Sequence, residues 1–110
     1  MSLRISLISF AFLLAAGPAL AEDVPSFDLT LDGTTFTPAE LHVPAGKPFI
    51  IKFKNNNPGV AELEAKDFGF EKKAAGKSEV IVRVKGGAAG KYLFVDEFQE
   101  DVAKGQIVVE

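Results

Sequence analysis

The stretch Gly90-Lys91-Tyr92-Leu93-Phe94-Val95-Asp96-Glu97-Phe98-Gln99-Glu100-Asp101-Val102-Ala103-Lys104-Gly105-Gln106-Ile107-Val108-Val109 decides how this chain reads. Tyr92 to Val95 and Gln106 to Val109 are aromatic and β-branched runs of strand type. Side chains alternate across a strand, so Tyr92, Phe94 and Asp96 fall on one side, and the face that takes two aromatic rings also takes a carboxylate. Between the strands stand four carboxylates within residues 96–101: Asp96, Glu97, Glu100 and Asp101. Like charges this close raise one another's pKa unless a cation or a hydrogen-bond donor neutralises them. Oxygen-only ligands suit hard or borderline ions, namely Fe, Mn, Mg or Ca, and Cu(II) accepts them too. A solvated acidic loop is the simpler alternative.

Upstream, strand signals recur at short spacing. Phe27, Leu29 and Leu31 share one face of Ser26–Leu31, and Asp32-Gly33 turns the chain. Thr35-Phe36-Thr37-Pro38 leads into Leu41-His42-Val43, with a second turn at Pro44-Ala45-Gly46-Lys47. Phe49, Ile51 and Phe53 point inward, and Asn55-Asn56-Asn57-Pro58-Gly59 is a loop. Val80, Val82 and Val84 share a face, and Gly86 to Gly90 breaks the chain again. Val60 to Phe70 holds a turn of helix at most, yet Glu62 and Glu64, two apart, point the same way if that segment is extended. About seven short strands and no long amphipathic helix predict an all-β, two-sheet sandwich or a small barrel.

The chain has 110 residues, a net charge of −3, 47% hydrophobic residues, no cysteine and one histidine. That is one small globular domain without disulfides, thiolate metal sites or a His-rich cage. The acidic balance argues against nucleic acid as a partner. Residues 1–21 read as a cleaved signal peptide: Arg4, an apolar run from Ile5 to Ala16, and Ala19-Leu20-Ala21 as the cleavage site. That run is shorter than the roughly 20 residues a bilayer requires. The expected mature domain is 22–110, exported to the periplasm, with Ser26 and Ser78 its only serines. A serine hydrolase is disfavoured, because no Gly-x-Ser-x-Gly element occurs and His42, between inward Leu41 and Val43, lies on a solvated face.

Phe36 to Lys47, and Gly90-Lys91-Tyr92-Leu93-Phe94 with Lys104-Gly105-Gln106-Ile107-Val108-Val109, resemble the first strand and turn and the last hairpin of cupredoxins. The resemblance implies a Greek-key β-sandwich with a metal site at one end. A blue-copper site needs a thiolate, two imidazoles and a weak axial thioether. Placed on the family pattern, those ligands fall at or near Asp96, Glu62, Gln99 and Val102, so blue-copper electron transfer is excluded.

Ala61-Glu62-Leu63-Glu64-Ala65, the Glu71-Lys72 element and Phe94-Val95-Asp96-Glu97-Phe98-Gln99-Glu100-Asp101-Val102-Ala103-Lys104-Gly105 look like the EfeO-type cupredoxin-like proteins, including FtrB-like partners of ferric permeases. This resemblance implies a periplasmic protein of iron uptake that receives ferrous iron, assists its oxidation and presents it to an inner-membrane permease, alongside a periplasmic iron-binding partner. Carried over by position, the iron or copper ligands are Glu62, Glu64, Asp96 and Glu97, with Glu71, Gln99, Glu100 and Asp101 weaker candidates. Gln99 departs from the family's histidine, which weakens a Cu(II) site and leaves an all-oxygen iron site. Lys66, Lys72 and Lys73 are candidates for docking or charge balance. A metal-free interaction module on the same scaffold is the competing reading, and a homodimer sharing the acidic loop is compatible with the sequence.

Overall fold

The computed structural model describes residues 24–110, so the expected signal peptide lies outside the described residues. The chain forms nine strands: β1 Ser26–Asp32, β2 Thr35–Thr37, β3 Glu40–Val43, β4 Phe49–Asn55, β5 Ala61–Ala65, β6 Phe70–Ala74, β7 Ser78–Val84, β8 Gly90–Asp96 and β9 Lys104–Val109. One sheet has the order β2-β1-β4-β7 and the other β3-β9-β8-β5-β6. Apart from the hairpins β1–β2, β5–β6 and β8–β9, every connection crosses from one sheet to the other. Among the described residues no helix is long and apolar enough to cross a membrane.

Strict alternation builds the core. Phe49, Ile51 and Phe53 of β4 are buried, as are Leu29 and Leu31 of β1, Val82 and Val84 of β7, and Phe94 of β8. Each such side chain removed from water contributes roughly 1.5–3 kcal/mol. Phe36 meets Phe94 edge-on, their centroids 4.9 Å apart, the geometry that aromatic quadrupoles favour. Gly105 of β9 lies against that ring: a Cβ there would stand 2.4 Å from Phe94 Cζ and 2.7 Å from the Ala39 carbonyl oxygen. Glycine at 105 is therefore a packing requirement of the sheet.

Nine strands form where about seven are expected, for two reasons. The segment after Asp32-Gly33 divides: Thr35–Thr37 pairs with β1, whereas Glu40–Val43 crosses to the other sheet and runs parallel to β9. The Val60–Phe70 segment, allowed one turn of helix above, is instead β5, a turn and the first residue of β6. The edge strand β6 buries only Ala74 of its five residues, so it has no apolar alternation to announce it.

Asn55 ends β4 as a fully buried amide. Its Nδ2 donates to the carbonyl oxygens of Gly59, Ala74 and Ala75 at 2.9, 3.2 and 3.1 Å, and its Oδ1 accepts the Asn57 N–H at 3.0 Å. This one side chain ties the Asn-rich loop to the end of β6. Asn55→Ala leaves buried carbonyls without a donor, and urea unfolding is expected to show a loss of about 2–4 kcal/mol.

Candidate metal centre

The site is built around Asp96, the last residue of β8. By alternation with Tyr92 and Phe94 it faces the core, and it is 1% exposed. Oδ1 accepts two backbone N–H bonds, from Glu62 at 3.0 Å and from Phe98 at 3.2 Å. Oδ2 accepts the Gln99 side-chain amide at 2.9 Å, and the same amide donates to the Gly33 carbonyl at 3.0 Å. A buried carboxylate is stable only when hydrogen-bonded or paired, and these three donors meet that need. Asp96 also caps a one-turn 3-10 helix, Glu97–Gln99. Ala103 N–H closes back on the Gln99 carbonyl, and Asp96 N–H on that of Ala103. The loop between β8 and β9 is thus folded by its own backbone.

Strand register brings the other carboxylates together. In the β5–β6 hairpin Glu62 is opposite Lys73 and Glu64 is opposite Glu71, so all four occupy one face of the sheet. Glu97, in the turn after Asp96, comes over the same face. Glu62, Glu71 and Glu97 each place a carboxylate oxygen within 4.8 Å of the others. Oxygens bound to one hard cation at about 2.0–2.6 Å lie no more than about 4–5 Å apart, so the three fit a single ion. Glu62 is 8% exposed, Glu97 half-buried and Glu71 exposed.

No cationic side chain neutralises this group: the ion pairs among the described residues are both at His42. Lys73, though opposite Glu62 in register, makes none. The neighbouring charge of Glu62 holds the Glu97 carboxyl above its ordinary pKa, with burial and the Glu71 charge adding to it. Glu64 is also raised, first by burial and then by Glu97, with Lys66 opposing. The directly opposed like charges Glu64 and Glu71 weaken the hairpin. Repulsion of this kind is relieved by a proton or a cation.

The structure therefore divides the residues expected from sequence. Glu62, Glu97 and the weaker candidate Glu71 converge. Glu64 and Glu100 line an adjoining cavity with Lys66, Asp67, Leu93 and Val95. Asp96 and Gln99 are engaged with each other and with backbone groups, and Asp101 is exposed on the loop outside the triad. Glu71 owes its place to the β5–β6 register, for which a polar hairpin gives no sequence signal. His42 is on the solvated face, its Nδ1 3.0 Å from Glu110 Oε2 and its Nε2 3.2 Å from Glu40 Oε1.

A two-sheet β-sandwich with polar ligand candidates where its last hairpin meets a neighbouring loop defines a cupredoxin-type scaffold. The chain belongs to the cupredoxin-like domain family, whose sequence model matches residues 4–109. A search of curated proteins returned no match. Among solved structures, the metal-binding domain of the Cu(I)-exporting P-type ATPase CopA of Streptococcus pneumoniae D39 is 18% identical, with a TM-score of 0.69 over 77% of this chain and 84% of that one. Auracyanin A, a "blue" copper protein of Chloroflexus aurantiacus, is 19% identical at a TM-score of 0.66, over 80% of this chain and 100% of its own. A copper-binding protein solved by NMR in the apo form is 22% identical, with a TM-score of 0.65 over 77% and 86%. At these identities the likeness is one of fold. The fold is thus related to copper-binding domains, while this chain lacks cysteine and has one histidine, held by carboxylates at the other edge of the five-stranded sheet.

Two titrations follow from these environments. A raised Glu97 pKa means that the folded protein binds this proton more tightly than the unfolded chain does. The corresponding stability is present below the ordinary glutamate pKa and is lost as pH rises through the folded value. The metal-free protein should melt at a higher temperature as pH falls from neutrality toward the carboxylate range, and Glu97→Gln should flatten that slope in thermal scans. His42 is raised above 6.5, chiefly by its hydrogen bond to Glu110, with the Glu40 bond adding and desolvation opposing. In an NMR titration, Glu110→Gln should bring the His42 midpoint down toward that ordinary value.

Proposed function

We propose that this chain is an exported metal-binding protein of iron uptake, which takes up iron or copper through the Glu62, Glu71 and Glu97 carboxylates and passes iron toward an inner-membrane permease. The observation behind this reading is the convergence of three carboxylate oxygens within 4.8 Å, one of them on a side chain 8% exposed, with no ion pair to them among the described residues. Carboxylate oxygens are hard donors, which favour Fe(III) over Fe(II) and so ease loss of an electron from bound ferrous iron to oxygen, copper or a partner protein. Glu64 and Glu100 stand beside the triad as further oxygen donors for an ion entering or leaving. The sequence resemblance to EfeO-type and FtrB-like proteins supports the iron-uptake assignment, the periplasmic location and a periplasmic iron-binding partner. The copper-binding relatives of the fold support copper as the alternative ion.

A second reading is favoured by Phe98 and Val102, which are 56% and 61% exposed on the acidic loop. Exposed apolar side chains among carboxylates suit a metal-free surface that docks a partner protein.

Calorimetric titration with Fe(II) under anaerobic conditions, Cu(II) and Mn(II) separates the two. The metal-binding reading expects saturation at one ion per chain, abolished in the double variant Glu62→Gln/Glu97→Gln. Absence of saturation with all three ions assigns the chain to the docking module instead.

A further inference from the structure

We propose that Asp96, with Gln99 as its strut, is a positioning residue that sets the spacing of the metal-binding carboxylates and is not itself a ligand. The inference rests on the metal-binding reading above and adds to it the means by which the site is held open for an ion.

One oxygen atom joins the two segments. Oδ1 of Asp96 accepts the N–H of Glu62 at 3.0 Å and the N–H of Phe98 at 3.2 Å. The first donor is the backbone of one triad member, and the second is the residue after another. A single buried atom thus fixes the main chain at Glu62, in β5, relative to that at Glu97, in the β8–β9 loop. Strand pairing brings the two segments together as far as Leu63 with Asp96 and Glu64 with Val95, one residue short of Glu62 and Glu97. The Asp96 carboxylate carries that link one residue further, to the Glu62 N–H and into the turn that holds Glu97.

The other oxygen is committed as well. Oδ2 accepts the Gln99 amide at 2.9 Å, and Gln99 reaches on to the Gly33 carbonyl at 3.0 Å, in the turn between β1 and β2. Gly33 N–H is in turn held by Asn57 Oδ1, and Asn57 Nδ2 donates to the Gly33 carbonyl at 2.9 Å. The carboxylate is thereby anchored to the opposite sheet. With three donors and 1% exposure, Asp96 stands outside the convergent triad, which comprises Glu62, Glu71 and Glu97. Outer residues that orient ligands typically set affinity by 10- to 100-fold without touching the ion.

The ligand and positioning roles predict opposite signs for one substitution. Gln99→Ala frees Oδ2, so a ligand Asp96 binds an ion as well as before or more tightly. A positioning Asp96 loses its anchor, and affinity falls by roughly tenfold. The test is Cu(II) titration of the full protein, well below its melting temperature, for the wild type, Gln99→Ala, Asp96→Asn and Asp101→Asn. Asp96→Asn keeps an acceptor for Glu62 and Phe98 but sets a donor against the Gln99 donor. It is expected to weaken Cu(II) binding by 10- to 100-fold at unchanged stoichiometry, with the EPR signature of the same oxygen donor set. Asp101→Asn removes an equal charge from the same loop and should change affinity by no more than about threefold. Amide exchange at Glu62 and Phe98 reports directly on the clamp and should accelerate in Gln99→Ala. Wild-type binding with tighter or unchanged affinity in Gln99→Ala, or an altered donor signature in Asp96→Asn, overturns the positioning role and leaves the metal site standing. Failure of the wild type to bind Cu(II), Fe(II) and Mn(II) alike overturns both.

Discussion

The carboxylate of Asp96 is the interaction on which this end of the molecule depends. It is the only acidic side chain of the acidic loop that the core accepts, and it satisfies one buried backbone donor, Glu62 N–H, and one part-buried donor, Phe98 N–H. The surrounding carboxylates are then free of structural duty. Their charges accumulate on the outer face of the sheet, where Lys73 faces Glu62 in register without pairing with it. Stability and chemistry are assigned to adjacent residues of one sequence, Asp96 inward and Glu97 outward, by the simple alternation of a strand entering a turn.

That division is compatible with a cupredoxin-type scaffold that has no cysteine, histidine pair or methionine where its last hairpin meets the β5–β6 hairpin. The inner position requires a small acceptor of backbone N–H groups, and a carboxylate meets the requirement. The side chains on the outer face are carboxylates, whose oxygens are hard donors. The aromatic layer beneath, Phe36 against Phe94 and Phe94 against Gly105, is indifferent to that chemistry because it packs on the core side of β8.

The sandwich was legible wherever one face is apolar and the other polar. Phe49, Ile51 and Phe53 in β4, and Tyr92 with Phe94 in β8, announce their orientation by period alone. The split of β2 from β3 and the β5–β6 hairpin were not legible: the first depends on which sheet a three-residue strand joins, and the second has a polar edge strand that buries a single alanine. The site follows the same division. Glu62 and Glu97 stand out by local spacing and charge density. Glu71 enters only through the pairing of Glu64 with Glu71, and register in a hairpin without an apolar pattern is set by the fold around it. The hydrogen bonds that occupy Asp96 and Gln99 come from the backbone of other segments, which no side-chain pattern records.

The placement of β9 has a kinetic consequence. Within the five-stranded sheet β3 has one neighbour, and that neighbour is β9, the last strand in chain order. From the time Glu40–Val43 is formed until Lys104–Val109 arrives, β3 offers an unsatisfied edge, and β8 lacks one of its two partners. The sheet thus combines two local hairpins, β5–β6 and β8–β9, with one distant pairing, β3 with β9, and pairings of that kind are the ones that slow folding.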